Sequence, residues 1–224
     1  MSDSVSTTME PVVHFLDVVA VHGRFPVLTG ASLTVDPHEI VLVQGPNGAG
    51  KTSLLRSCAG LLPIVQGSAR VLGLDLAVDR RAVRALVGML GHTNGLYDDL
   101  SVAENVRFWG RSAGASDTEI TAAMGELGLG GRLSLVKAVK LSAGQRRRCA
   151  LAAVLARRPK LWLLDEPHAG LDAQGRDLLD DVLRRAAAAG ATVLFASHEL
   201  DRAMPLADRV VRIDGGRIVE PRPC

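Results

Sequence analysis

The hydrophobic positions of this chain predict strands in its first and last parts and helices between them. Three short runs are apolar at nearly every position, which is typical of parallel strands buried on both faces: Glu39–Gln44, Leu161–Leu164 and Thr192–Ala196. Strands are also predicted at Val12–Val18 and Val27–Val35, joined around His22, Gly23 and Pro26, with strand-like pieces near Ala69 and Leu86. The segment Arg209–Val219, around Asp214-Gly215-Gly216, predicts a strand pair with a tight turn.

Helical periodicity dominates the middle of the chain. Apolar residues recur with a spacing near ~3.6 from Ser101 to Ala156, and Ser101 with Glu104 forms a capping box for the first of these helices. Further helices are predicted from about Gly50 to Ala59 and from Leu178 to Ala189. The sequence therefore predicts an α/β protein with a polar tail at 1–11 and a strand-rich core at 12–91 and 157–224. A helical block at about 92–156 interrupts that core.

Composition narrows the class of protein. The chain has 224 residues, 47% of them apolar, which suits one folded domain and excludes a disordered chain. A net charge of +2 and 3% aromatic residues provide neither the basic field nor the stacking surface typical of nucleic-acid binding. Cys58, Cys149 and Cys224 form no CxxC pair, which favours a reduced, cytosolic chain. No apolar run approaches the ~18–20 residues of a membrane helix, and the polar start is unlike a signal peptide.

A glycine-rich segment between a predicted strand and a predicted helix matches the pattern GxxxxGK[ST]. It comprises Gly45, Pro46, Asn47, Gly48, Ala49, Gly50, Lys51 and Thr52, and Ser53 follows it. Glycines let successive backbone N–H groups point at phosphate oxygens, and the helix N-terminus adds its positive dipole end. Lys51 is expected to bridge the β- and γ-phosphates, Thr52 to bind Mg²⁺ and Ser53 to donate to a phosphate. The alternative, a chance match in a glycine-rich turn, is disfavoured by the strand–loop–helix context.

Two acids, Asp165 and Glu166, directly follow the apolar run Leu161–Leu164. Ligands of open α/β sheets gather at the carboxyl ends of the strands, so a neighbouring parallel strand is expected to bring these acids beside the phosphate loop. Asp165 would then support Mg²⁺ through a water, and Glu166 would polarise the attacking water as a general base. Alone the pair would indicate a solvated strand end; together with the phosphate loop it predicts a nucleotide-hydrolysing site.

A third motif, Leu141-Ser142-Ala143-Gly144-Gln145, opens a helix ahead of the two acids. Small residues at a helix N-terminus make a second anion site, with Ser142 as a hydroxyl donor, although alone the motif indicates only a capped helix. The order of phosphate loop, helical block, LSAGQ and LLDEP resembles the ATP-binding subunit of ABC transporters, over about residues 12–219. The resemblance implies a P-loop NTPase (RecA-like) core with an antiparallel β subdomain and a helical signature subdomain.

The same resemblance implies a mechanism. Two subunits face each other head to tail, and each ATP, with its Mg²⁺, lies between one phosphate loop and the partner's signature motif. Ser142, Gly144 and Gln145 would contact the γ-phosphate bound at the other subunit, and Asp172 matches the loop that crosses the dimer seam. His198 matches the switch histidine that holds the γ-phosphate and orients Glu166 and water.

Three positions depart from the family pattern. His92 stands where the family has a glutamine that contacts Mg²⁺ and water, and its imidazole can still hydrogen-bond water or the γ-phosphate. His22 stands where an aromatic residue stacks on adenine, so that Phe25 is the alternative stacking partner. Ala143 replaces the first glycine of the signature motif, which adds one methyl group.

Two further features refine the expected role. Gly91-His92, Gly95-Leu96 and the run Leu100–Asn105 are similar to one subgroup, the ATPase subunit of the haem exporter used in cytochrome c maturation. Arg146, Arg147 and Arg148 are interpreted as a solvated first turn of a helix rather than a nucleic-acid site. Because arginine at a helix N-terminus opposes the dipole, they also hint at packing or interface use.

The resemblance thus implies a homodimeric ATPase that is peripheral to the cytoplasmic face of the membrane and drives separate membrane-spanning permease subunits. The segment His92–Leu100 is the candidate contact with them, and no nucleic-acid partner is expected. Three alternatives stay open at this point: another ABC exporter subunit for drugs, lipids or peptides, a soluble ABC-type ATPase, and a regulatory module that barely hydrolyses ATP.

Overall fold

The apolar runs form the centre of a sheet that is covered on both faces. A computed structural model describes residues 10–219, so Cys224 and all but the last two residues of the predicted tail lie outside the described residues. The strands are β1 (Val13–His22), β2 (Phe25–Val35), β3 (Ile40–Gln44), β4 (Ile64–Val71), β5 (Leu74–Asp75), β6 (Val87–Leu90), β7 (Leu161–Asp165), β8 (Thr192–Ala196), β9 (Arg209–Asp214) and β10 (Arg217–Val219). The helices are α1 (Lys51–Cys58), α2 (Arg80–Leu86), α3 (Val102–Ser112), α4 (Asp117–Glu126), α5 (Ala143–Ala156), α6 (Ala173–Ala188) and α7 (Leu200–Leu206).

The larger sheet has the strand order β10-β9-β3-β8-β7-β6, and all its neighbours are parallel except the β9–β10 pair. Successive side chains of a strand point to opposite faces. In β7, accordingly, Trp162 and Leu164 join one hydrophobic cluster while Leu161 and Leu163 join another. Burial on both faces explains why these strands lack a polar alternation. The prediction of buried parallel strands is confirmed.

The smaller sheet is antiparallel, with the order β2-β1-β4-β5, and it packs its apolar face toward α1. The predicted hairpin is longer than expected, because β1 continues to His22 and β2 starts at Phe25, leaving only Gly23 and Arg24 in the turn. Gly23 has φ +63, a conformation that favours glycine. At the other end of the chain, β9 and β10 form the predicted strand pair around Gly215 and Gly216.

The helical block contains α3, α4 and α5 with two 3₁₀ turns, Gly131–Leu135 and Ala138–Lys140. Each of the three helices starts with a complete capping box, in which a serine side chain accepts a backbone N–H and a Glu or Gln three residues on reaches back. Apolar side chains from these helices share one cluster with the face of the large sheet that carries Trp162. The block is therefore packed onto the sheet, while its status as a separate subdomain at about 92–156 stays a prediction.

Three helical assignments differ from the sequence predictions. The short helices α2 and α7 were not expected, because seven residues show too little periodicity to distinguish them from loops. Helix α6 begins at Ala173 rather than Leu178, because the Asp172 carboxylate accepts the N–H of Gly175 at 2.8 Å and caps a polar first turn. Within residues 10–219, every helix is too short or too polar to cross a membrane.

Candidate functional site

The phosphate loop connects β3 to α1 and is shaped by its glycines. Gly48 and Gly50 have φ of +79 and +111, where a side chain would be strained, and a Cβ on Gly45 would lie 2.2 Å from the carbonyl oxygen of Ile213. Lys51 is 8% exposed, and its ammonium donates to the carbonyl oxygens of Gly45 at 2.7 Å and Pro46 at 3.1 Å. The backbone of the loop thus wraps around the Lys51 side chain, and α1 begins at this same residue.

The two acids at the end of β7 reach this loop as predicted. Strand β8 lies between β3 and β7, so their carboxyl ends share one edge of the sheet. The Thr52 hydroxyl donates to Asp165 Oδ2 at 2.6 Å. A hydroxyl and a carboxylate so placed are hard oxygen ligands of the kind that Mg²⁺ uses together with phosphate oxygens.

Glu166 occupies a strained backbone position. Its φ is +48, a left-handed conformation that costs a non-glycine residue about 1–2 kcal/mol, and its N–H donates to the carbonyl of Ala196 at 2.9 Å. Carboxylate oxygen Oε2 accepts the backbone N–H of His198 at 3.1 Å, and Oε1 lies 3.5 Å from His198 Nε2. Oε1 is buried and accepts no hydrogen bond from any residue between 10 and 219. A buried carboxylate oxygen without a partner suits a group that accepts a proton from a bound water.

These groups border one cavity of about 690 Å³, within the size range of small-molecule sites. Predicted site residues on its wall come from the phosphate loop and from the strand ends: Asn47, Gly48, Gly50, Lys51, Thr52, Ser53, His92, Asp165, Glu166 and His198. Pro26, Val27, Ala169, Gly215 and Gly216 complete the wall and were not predicted. His92 therefore shares a cavity with Glu166 and His198, although it is distant from them in sequence.

The two candidates for stacking on adenine lie outside this wall. His22 and Phe25 are opposite each other at the end of the β1–β2 hairpin, and Phe25 is 77% exposed. The next two residues, Pro26 and Val27, are the ones that border the cavity. The hairpin therefore brings the exposed Phe25 ring near the cavity without packing it against the cavity wall. The stacking role of His22 or Phe25 stays a prediction.

The signature residues also lie outside the cavity wall. Ser142 caps α5 by accepting the N–H of Gln145 at 3.2 Å, and the Gln145 side chain accepts the N–H of Ser142 at 3.0 Å. Gly144 packs on the loop after Glu166, because a Cβ there would lie 2.9 Å from the carbonyl oxygen of Gly170. Asp172 at the end of that loop caps α6 and is exposed. Across residues 10–219, the side-chain hydrogen bonds of Ser142, Gln145 and Asp172 all go to residues three positions away.

Arg147 corrects the interpretation of the three arginines as a solvated turn. It is only 4% exposed, whereas Arg146 and Arg148 are partly exposed. Its guanidinium donates to five oxygen atoms, the carbonyls of Asp165 (2.7 Å), Glu166 (2.6 Å), Pro167 (3.3 Å) and Gly91 (2.8 Å) and the amide oxygen of Asn94 (3.1 Å). Burial lowers the pKa of Arg147 to about 10, and the Asp165 and Glu166 carboxylates oppose that shift. The unfavourable arginine at a helix N-terminus was the only sequence signal for this packing.

Comparisons with known proteins agree with this geometry. Residues 28–169 match the family described as ABC transporter. The chain is 41% identical over 184 residues to the cytochrome c biogenesis ATP-binding export protein CcmA of Nitrosomonas europaea. The aligned region covers 80% of this chain and 84% of that protein. It is 36% identical over 209 residues to the sn-glycerol-3-phosphate import ATP-binding protein UgpC 1 of Rhizobium johnstonii, covering 88% of this chain and 54% of that protein.

A solved structure of an ATP-binding subunit of an ABC transporter superimposes on the chain with a TM-score of 0.84 and 26% identity. The superposition covers 92% of this chain and 88% of the other. The predicted α/β class, a P-loop NTPase core with an added antiparallel sheet and a helical block, is confirmed by this likeness and by the two sheets described above.

Proposed function

We propose that this chain, which belongs to the ABC transporter family, hydrolyses ATP at the cavity around Lys51 and Glu166 in order to drive transport by separate membrane-spanning subunits. The observation that carries the proposal is the meeting of three groups at one sheet edge. Lys51 lies in the phosphate loop, Thr52 is hydrogen-bonded to Asp165, and the Glu166 carboxylate has one buried oxygen with no hydrogen bond to the described part of the chain. These groups provide charge neutralisation, metal support and a proton acceptor.

Phosphoryl transfer to water is catalysed mainly by positioning and by electrostatic stabilisation. Lys51 would exchange its bonds to the carbonyls of Gly45 and Pro46 for phosphate oxygens, while the glycine-rich backbone supplies N–H donors. Glu166 would accept the proton of the attacking water on Oε1. His198, whose ring lies 3.5 Å from that oxygen, would orient the carboxylate and contact the γ-phosphate.

The residues present fit Mg²⁺. The described residues contain no group of three or more His, Cys, Asp or Glu side chains placed to hold a metal by themselves. Mg²⁺ in nucleotide sites needs fewer protein ligands, because phosphates and waters supply the rest. Thr52 and Asp165 would hold the ion, His92 would reach it or its waters from across the cavity, and the ion would neutralise charge on the β- and γ-phosphates.

The signature residues support a head-to-tail dimer, most simply a homodimer. Ser142, Gly144 and Gln145 lie outside the cavity wall of their own chain, so a γ-phosphate contact requires a second subunit. The loop Ala169–Asp172 packs against Gly144 and borders the cavity at Ala169, and these contacts support a position for the loop between two such sites. One chain therefore carries half of each of two sites.

The segment His92–Leu100 is the proposed contact with a permease. Tyr97 stacks on Trp109 with ring centroids 6.3 Å apart and meets Phe108 edge-on at 5.0 Å. Tyr97 and Phe108 are each 47% exposed. Exposed aromatic groups of this kind are typical of protein interfaces. Because His92 at the start of the segment borders the catalytic cavity, a partner bound here would sense the state of the nucleotide.

The proposed cargo is haem, exported for cytochrome c biogenesis, with the subunit peripheral to the cytoplasmic face of the membrane. The CcmA relative, 41% identical, supports this assignment. The import relative, 36% identical, is the reason to test the cargo directly. We therefore expect a tagged chain, extracted with its native membranes, to co-purify with spanning subunits and haem Soret absorbance. A different permease would retain the ATPase and reject haem, and the absence of any spanning partner would favour a soluble ATPase.

The ATPase role is tested by Glu166→Gln. The substitution keeps the shape of the side chain but removes the base, so ATP binding should persist while turnover falls by about 10²–10⁴-fold. The matched control is Glu126→Gln, on the surface of α4, which should keep wild-type turnover. Steady-state ATPase rates with and without Mg²⁺ measure both. Wild-type turnover in Glu166→Gln would refute the assignment, and negligible turnover in the wild type would favour the regulatory module.

A further inference from the structure

Arg147 makes five hydrogen bonds, three to the loop that carries Glu166 and two to the loop that carries His92. A guanidinium has five N–H groups, and here each finds an oxygen acceptor: one from Nε, two from Nη1 and two from Nη2. Four of the acceptors are backbone carbonyl oxygens and the fifth is a side-chain amide oxygen. The five hydrogen bonds therefore fix mainly the backbone, and none of them goes to a charged group. Three of those carbonyls belong to consecutive residues, 165–167.

Consecutive carbonyls do not converge on one point in an extended strand, because they alternate in direction. They do so here because Glu166 adopts its left-handed conformation, with φ of +48. Strain of this kind persists only where the surroundings hold it. Two sets of contacts are in place to do so: the bond from the Glu166 N–H to Ala196, and the bonds from Arg147.

Arg147 also joins three parts of the molecule that carry different tasks. It belongs to α5, the helix that the signature motif opens. Nη2 binds the loop that carries Glu166, and Nη1 binds Gly91 and Asn94, which flank His92 on both sides. The helix that would engage the partner's nucleotide is thus hydrogen-bonded to both catalytic loops of its own subunit.

We propose that Arg147 is a positioning residue for hydrolysis: it holds Glu166 and the loop of His92 in place relative to the signature helix, so that a displacement of that helix moves the general base. The inference rests on the proposed ATPase function. Arg147 touches neither substrate nor reacting atoms; it acts through the backbone of the residues that do. Its effect should therefore fall on kcat and leave ATP binding by the phosphate loop intact.

The test compares Arg147→Gln, Arg147→Lys and Arg148→Gln in the full chain. Glutamine retains two N–H donors and lysine three, so neither supplies all five bonds. We expect kcat to fall by about 10–100-fold in Arg147→Gln, with KM for ATP within about twofold, because small displacements of a catalytic group have effects of this size. The kcat of Arg147→Lys should lie between that of Arg147→Gln and that of the wild type. Arg148, whose side chain makes within residues 10–219 a single hydrogen bond, to the carbonyl of Leu127 at 3.5 Å, is the matched control and should retain wild-type kcat.

Amide hydrogen exchange provides a readout that a merely structural role would not give. Arg147→Gln should exchange faster at 165–168 and 91–94 while the β1–β2 sheet keeps its protection. Unchanged kcat in Arg147→Gln would overturn the proposal, as would a loss of kcat accompanied by equal loss of ATP binding and of protection throughout. If Arg147→Gln does not fold, Arg147→Lys decides, and wild-type kcat or failure to fold in that variant also overturns the proposal.

Failure of the Arg147 proposal and failure of the proposed ATPase function give different experimental results. Should the wild type hydrolyse ATP and Glu166→Gln abolish turnover while Arg147→Gln retains kcat, only the role of Arg147 is wrong. Should the wild type lack turnover, the proposed ATPase function is wrong, and the exchange experiment still reports whether Arg147 holds the two loops.

Discussion

The phosphate loop and the signature motif are both helix N-termini preceded by small residues, yet they are built in opposite ways. The N-cap of α1 is Gly50, which has no side chain with which to cap the first-turn N–H groups. The N-cap of α5 is Ser142, whose hydroxyl accepts a first-turn N–H group of its helix within a complete capping box. The N-terminus of α1 therefore has N–H donors available for an anion in the chain's own cavity. The N-terminus of α5 is exposed, and its capping box already supplies hydrogen-bond partners.

This difference indicates where each motif obtains its ligand. The phosphate loop follows β3, and its cavity is also bordered by residues at or just after the ends of β7 and β8, so one chain would supply the first contacts to a nucleotide. Ser142, Gly144 and Gln145 lie outside that cavity wall, so in the proposed dimer they would meet a phosphate bound by the other subunit. In doing so, Ser142 would exchange its cap for a phosphate contact, and an N-cap contributes about 1 kcal/mol.

The largest effect is expected on the phosphate-loop side, from Lys51→Ala. Removal of the ammonium leaves the β- and γ-phosphates without their cation, so turnover should fall by at least about 10²–10³-fold and ATP affinity should decrease with it. Lys160→Ala, at an exposed position before β7, is the matched control. Isothermal titration with ATP and a steady-state rate measure both. Retained affinity in Lys51→Ala would show that the loop does not bind phosphate through this residue.

A smaller effect, on turnover alone, is expected on the signature side from Ser142→Ala. ATP binding to the chain's own phosphate loop should be unchanged, while turnover should fall by about 10-fold because one charge-stabilising contact to the γ-phosphate is lost. Ser116→Ala removes the same capping box from α4, away from the site. Both variants should lose about 1 kcal/mol of unfolding free energy in urea titrations. Equal turnover in the two variants would reduce Ser142 to a helix cap.

The smallest effect concerns pH. It distinguishes the capping box of the signature helix α5 from the capping boxes of α3 and α4. The pKa of Glu104 is lowered, first by the backbone N–H of Ser101 and then by its hydroxyl, whereas the corresponding Gln145 in the signature cap does not titrate. A lowered pKa means that this glutamate stabilises the fold above its ordinary range and loses that contribution as pH falls through the lowered value. Glu104→Gln should therefore unfold with a weaker acid dependence below pH ~5. An unchanged acid profile, measured by thermal unfolding, would contradict this.

The sequence predicted the parts that depend on local pattern. Buried strands with no polar alternation, the three-residue spacing of capping boxes and the phosphate loop each have a signature that one chain displays. The meeting of Asp165 with Thr52 followed from a general rule about strand ends. The resemblance to the family supplied His198 and Asp172, which no local pattern distinguishes from ordinary polar residues.

Other parts depend on contacts that a single sequence does not display. Arg147 is one of three adjacent arginines, and only the register of α5 against the end of β7 decides which of them is buried. The hairpin end offers a similar case, because Pro26 and Val27, not the neighbouring rings of His22 and Phe25, border the cavity. Such choices are fixed by the twist and packing of sheets, to which periodicity is insensitive.

The central claim is that each active site combines one chain's phosphate loop with another chain's signature motif. Lys51→Ala destroys the first half-site, and Ser142→Glu places a negative charge where the second would meet the γ-phosphate, so each variant alone should be inactive. An equimolar mixture should recover about a quarter of wild-type turnover, because half of randomly formed dimers are mixed and each contains one intact site of two. No recovery, with both variants folded and Ser142→Glu still binding ATP, would contradict the account.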